Sequence, residues 1–188
     1  MTRVSLTMLT AGAMVLAASQ AFALSAEDQT FANAAASGGL AEVQLGRLAQ
    51  QRGATDQVRQ YGQEIVADHT KANDELKRIA KEQNITLPTE PTSAQAQTYT
   101  TVESLRGLAF DKRFAEVMIS DHQDTIATFQ NEASSGQDPA LKTFAQNTLP
   151  TLQHHLEQAV ELNKASLSRT NAELLGSDQQ FKEGTYKP

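Results

Sequence analysis

The chain has no cysteine and no tryptophan, and aromatic residues make up only 5% of it. Without cysteine there is no disulfide, no thiolate ligand or nucleophile, and no cysteine-linked lipid. No glycine-rich phosphate loop, nucleophile elbow or paired-thiol motif occurs, so nucleotide hydrolysis, serine-hydrolase chemistry and dithiol redox chemistry have no sequence support. Cations are in the minority, 16 Lys and Arg against 22 Asp and Glu. A chain of that balance lacks the basic patch that nucleic acid or an anionic membrane surface requires. Alternating β-branched residues, the mark of half-buried strands, are also scarce. Beyond residue 23 no apolar run approaches the ~20 residues of a spanning helix. What is abundant is Ala, Gln, Leu, Glu and Lys, all good helix formers, which predicts an all-α domain.

The first 23 residues form a separate unit. Arg3 precedes an apolar run to about Ala18, and Ala21-Phe22-Ala23 makes a small-x-small cleavage site. Residues 1–23 are therefore expected to be a secretory signal, and the mature chain to be periplasmic or secreted, with outer-membrane association left open. Removing Arg3 leaves 15 basic against 22 acidic side chains, a net charge of −7. The remaining residues suffice for one domain with a core of its own.

Apolar positions recurring every three or four residues predict four long helices. The first spans 26–51, capped by Ser25 with Asp28 completing a box-like start, and ends at Arg52-Gly53. A line of small residues (Ala32, Ala36, Gly39, Val43, Gly46) runs along it. Gly38-Gly39 needs a reason, since each helical glycine costs about 1 kcal/mol relative to alanine; either a neighbouring helix comes close or the helix breaks there. The second helix runs from Thr55 or Asp56 to Gln83. Residues 84–97, with two prolines, read as a connector, and 98–108 as a short extra helix or the start of the next. The third spans 109–133 and the fourth 139–165, bent at Pro150. A polar tail, 166–188, is expected to be loose. The domain itself is assigned to 24–165.

Two self-similarities stand out. Residues 61–80 and 114–133 each carry an aromatic, an Asp-His pair seven residues on, and a large apolar residue seven after the His. A shift of 83 residues also superimposes Asp28 on Asp111, Phe31 on Phe114, Gly53 on Gly136, Val58 on Leu141 and Tyr61 on Phe144 without a gap. Two similar helical hairpins joined by a long crossover give an antiparallel four-helix bundle of the ferritin-like plan. The stretches Gly39-Leu40-Ala41-Glu42, Val66-Ala67-Asp68-His69, Asp121-His122 and Leu149-Pro150-Thr151-Leu152 with His155-Leu156 resemble the exported bacterial family catalogued as domain of unknown function 4142. That resemblance covers about residues 25–165 and implies a ferritin-like bundle and an exported compartment. It brings no activity with it.

Glu42, His69, His122 and His155 fall one on each helix, at inward positions and at mid-bundle heights on ~1.5 Å per residue. Imidazole and carboxylate together suit Zn, Fe, Mn or Cu, so these four are candidate ligands for one transition-metal ion. Asp68 and Asp121 are candidate second-row partners that orient the rings. A di-iron site needs Glu three residues before a ligating His on two helices; Val66, Ile119 and Leu152 stand there instead, so oxygen chemistry at two irons loses its support. The same histidines also fit a hydrogen-bonded polar layer in a non-enzymatic, envelope- or stress-associated bundle. A third reading docks the small-residue line Ala32, Gly39 and Gly46 on another helix, of this chain, a second copy or an envelope protein.

Overall fold

A computed structural model describes residues 24–182; the expected signal at 1–23 and the end of the polar tail, 183–188, lie outside the described residues. Five helices follow one another: α1 (Ala26–Arg52), α2 (Asp56–Gln83), α3 (Ser93–Glu103), α4 (Gly107–Ser135) and α5 (Pro139–Lys182). No strand occurs among the described residues, and none of the helices is long and apolar enough to cross a membrane.

Local chemistry sets the helix ends. The Ser25 hydroxyl accepts from the Asp28 N–H at 3.0 Å, and Thr55 accepts from the Val58 N–H, satisfying donors that a helix start leaves bare. Asn84 stops α2 with its backbone in the left-handed region, φ 59°, which Asn tolerates better than most residues. At α5 the Asp138 carboxylate accepts from Ala140 and Leu141, both at 2.9 Å, and Pro139 occupies the first helical position, where its missing N–H costs nothing. The connector expected over 84–97 is shorter: a reciprocal Thr92–Gln95 capping box starts α3 at Ser93. The last helix is longer, running past Ala165 to Lys182, because no glycine or proline interrupts Thr151 to Leu175.

α1 packs chiefly on α2 and α4 on α5, and the two hairpins join through α1 against α4 and α2 against α5. The four long helices thus form a ring of neighbours around one interior, a helical bundle with α3 lying across α1 and α4. Two apolar clusters fill that interior. One centres on Leu45, Tyr61, Ile65, Phe110, Phe114 and Met118; the other on Phe31, Leu76, Phe129, Leu141, Phe144 and Leu152. Each such side chain contributes about 1.5–3 kcal/mol when fully buried.

Gly39 and Gly46 of α1 are explained by close approach, and the helix runs through Gly38-Gly39 unbroken. A Cβ on Gly39 would lie 2.0 Å from the Asn73 side chain, and one on Gly46 would lie 2.8 Å from the Gly62 carbonyl. The small-residue line is therefore covered by α2 of the same chain.

The 83-residue repeat has a structural signature. Asp111 accepts from Ala54 N and Thr55 N, at 2.8 and 3.0 Å. Asp28, its counterpart, accepts from Gln137 N and Asp138 N, at 2.9 and 3.1 Å, and those residues are the counterparts of Ala54 and Thr55. Each hairpin thus caps the turn of the other, and Gly53 and Gly136 share φ −53°. Asp28, expected to complete its own helix start, instead reaches across to the far turn.

Glu132 lies buried beside Asp28, and burial, reinforced by the Asp28 charge, pushes its carboxyl up to about 7. A raised carboxyl binds its proton more tightly in the folded than in the unfolded chain. Its contribution to stability is full below the ordinary glutamate value and is lost as pH rises through about 7. Glu132→Gln keeps the neutral shape at every pH. The variant is expected to melt near wild type at pH 5 and above it at pH 8; a difference independent of pH across that range would refute the assignment.

Candidate metal centre

Between the two apolar clusters lies a layer of polar side chains, one from each long helix. Glu42 (α1), His69 (α2), His122 (α4) and His155 (α5) are 5, 7, 1 and 0% exposed. Each occupies a seam position flanked by the apolar residues of both clusters, so the helical period that builds the core also delivers these groups to its middle.

The three rings converge, with centroids 5.4 to 5.7 Å apart. One nitrogen from each lies within 4.8 Å of one from each of the others. Even at that outer limit an ion centred among them sits ~2.8 Å from each nitrogen, and shifts of under ~1 Å reach the 2.0–2.1 Å of a metal–imidazole bond.

Hydrogen bonds fix which nitrogen of two rings carries the proton. His122 Nδ1 lies 2.9 Å from the Met118 carbonyl; a carbonyl only accepts, so Nδ1 donates and Nε2 holds the lone pair. His155 Nε2 donates to the Asp68 carboxylate at 3.0 Å, leaving the lone pair on Nδ1. His122 Nε2, His155 Nδ1, His69 Nε2 and Glu42 Oε2 are all buried with no hydrogen-bond partner. A carboxylate behind the far nitrogen of an imidazole is also how metal-bound histidines are oriented. The Tyr61 hydroxyl donates to the His155 carbonyl at 3.0 Å and ties α2 to α5 at the same level.

Burial sets the charge states. It holds all three imidazoles below their ordinary value, His122 at about 4; neighbouring rings depress His69 and His122 further, while Asp68 works against the shift at His155. Glu42 is pushed well above the carboxylate range by burial, then by the Asp121 charge. The layer therefore rests as neutral imidazoles, the form that binds metal.

The four residues singled out in the sequence do share one layer, but not equally. The histidines form a mutual group, whereas Glu42 meets only His122, its Oε1 3.7 Å from Nδ1. Asp68 does orient a ring, though it is that of His155 across the bundle and not its sequence neighbour His69. Asp121 is half-buried and acts on Glu42 through its charge. Sequence reading missed Glu64, which joins Asp68 and His155 in a second group within 4.8 Å. Its place one turn before Asp68 was the available signal. His154 is exposed and faces Glu64 at 3.4 Å.

These features define an all-helical bundle whose core encloses a buried three-histidine cluster. The chain belongs to the family described as "Domain of unknown function (DUF4142)", whose model matches residues 13–162. No curated protein and no solved structure matches it.

Proposed function

We propose that this is an exported, ferritin-like bundle protein that holds one transition-metal ion on His69, His122 and His155, with Glu42 buried beside His122 in the same layer. The carrying observation is that three buried imidazoles from three helices bring a nitrogen each within 4.8 Å of one another, and each ring also has a nitrogen without a partner. A purely structural polar layer would pair such atoms, because a buried unpaired polar group costs about 1–3 kcal/mol. Three neutral histidines and one carboxyl favour Zn, Cu or Fe over Mg or Ca, which take oxygen donors. The ferritin-like plan is supported by the two hairpins related by the 83-residue shift, and export by the Arg3 to Ala23 segment. The missing Glu-x-x-His pairs make the site mononuclear, and binding is assigned in preference to catalysis.

The test is elemental analysis of the purified chain after loading with Zn and exhaustive dialysis. One ion per chain is expected, falling below about 0.1 in His122→Leu and His155→Leu. A wild-type chain that retains none of Zn, Cu, Fe or Mn would remove the reading.

A further inference from the structure

We propose that the cavity enclosed by α1, α2, α4, α5 and the crossover segment is the route by which a hydrated divalent cation reaches the three-histidine centre; this rests on the metal-binding reading above. The cavity holds about 480 Å³. Its lining grades from exposed Asp124 and Thr128, through half-buried Gln95 and Thr125, to buried Glu42 and His69. The floor is thus formed by two side chains of the polar layer, both more than nine-tenths buried, and both presenting an atom without a partner, Glu42 Oε2 and His69 Nε2.

The lining contains two carboxyl groups, several hydroxyl and amide oxygens, and no lysine or arginine. That chemistry, with the exposed Asp124 carboxylate in the lining, favours a cation and offers oxygen atoms in place of its water ligands, and no side-chain cation is there to hold an anion. The neighbouring cavity, which touches Asp68 from outside, sets Lys71 and Arg78 against Asp68 and Glu75, so its charges cancel and it offers a cation no net attraction. Gly38 keeps the bore open: a Cβ there would meet nothing closer than the Gln95 amide at 3.9 Å. Alanine would fit and would favour the helix by about 1 kcal/mol, so packing does not account for this glycine.

Gly38→Phe projects a ring into the cavity from a position with room for its Cβ, and Thr128→Trp closes the rim from an exposed site. Stopped-flow loading of the purified chain with Zn²⁺, read by a chromogenic competitor, is expected to slow at least tenfold in either variant while the endpoint stays at one ion per chain. Thr143→Phe, which fills the neighbouring cavity instead, is expected to load at the wild-type rate. Full stoichiometry with an unchanged rate in both Gly38→Phe and Thr128→Trp overturns the route and leaves the metal centre intact. Slowing confined to Thr143→Phe overturns it in favour of the Asp68 side. A wild-type endpoint of zero overturns the metal reading itself.

Discussion

Zinc at a hundredfold excess over its dissociation constant is expected to raise the melting temperature of the wild-type chain by about 5–10 °C and to leave His122→Leu unmoved. A ligand that binds only the folded state adds about 2.7 kcal/mol at that excess, and each kcal/mol is worth roughly 2–4 °C in a chain of this size. The metal-free comparison is the sharper half of the experiment. In the absence of metal, His122 Nε2 is buried and unpartnered, and its Nδ1 bonds a carbonyl of its own helix, which the helix backbone also uses. Leucine removes an unsatisfied group and adds apolar contact between two apolar clusters. The metal-free variant is therefore expected to melt at or above the metal-free wild type. A structural polar layer predicts the opposite on both counts, with no zinc shift and a loss of several kcal/mol on replacing the ring. Differential scanning calorimetry of the two chains, with zinc and with chelator, separates these outcomes; a destabilised leucine variant beside an unresponsive wild type would reject metal binding.

Much of this was visible in the chain before any coordinates. The 3.6-residue period located all four long helices, and the alignment of Asp28 with Asp111 and Gly53 with Gly136 revealed the doubled hairpin. The same period put Glu42, His69, His122 and His155 on inward faces, because a helix seam is a local property of sequence. Pairing across helices is not local. That Asp68 would serve His155 and not its neighbour His69 depends on how α2 and α5 are rotated against one another, a matter of side-chain packing over 87 residues of separation. The three histidines are also not related by the repeat: His69 aligns with Leu152, and His122 with Gly39. The duplication supplied the scaffold, and the polar layer departs from its symmetry. The α3 start could have been found, since Thr92 and Gln95 form a capping pair, but two prolines nearby masked it. Asp28 looked like half of a local helix start because its long-range partners, 109 and 110 residues away, leave no mark on the surrounding sequence.

The other large effect is expected far from the histidines. Asp111 is fully buried and accepts three hydrogen bonds at the turn between α1 and α2, from Ala54 N, Thr55 N and the Thr55 hydroxyl. Its charge also faces the N-terminus of α2, where a helix dipole favours an anion. Asp111→Ala takes the acceptor from two backbone donors and a hydroxyl at a partly exposed turn, and it frees the second hairpin's grip on the first. Losing a charge-assisted acceptor of this kind costs about 1.5–3 kcal/mol, a sizeable share of the 5–15 kcal/mol typical of a whole domain. The expected fall in melting temperature is roughly 3–12 °C. Asp111→Asn should recover less than its shape suggests, because one oxygen acceptor becomes an N–H facing other N–H groups. Asp28→Ala, which loses two bonds in place of three, is expected to cost less. The two sites share no partner, so the double variant should equal the sum of the singles to within about 0.5 kcal/mol. Urea denaturation of the four chains measures this directly. An Asp111→Ala midpoint within about 1 kcal/mol of wild type would mean that the turns are held by their own local geometry, and that reciprocal capping does not lock the two hairpins together.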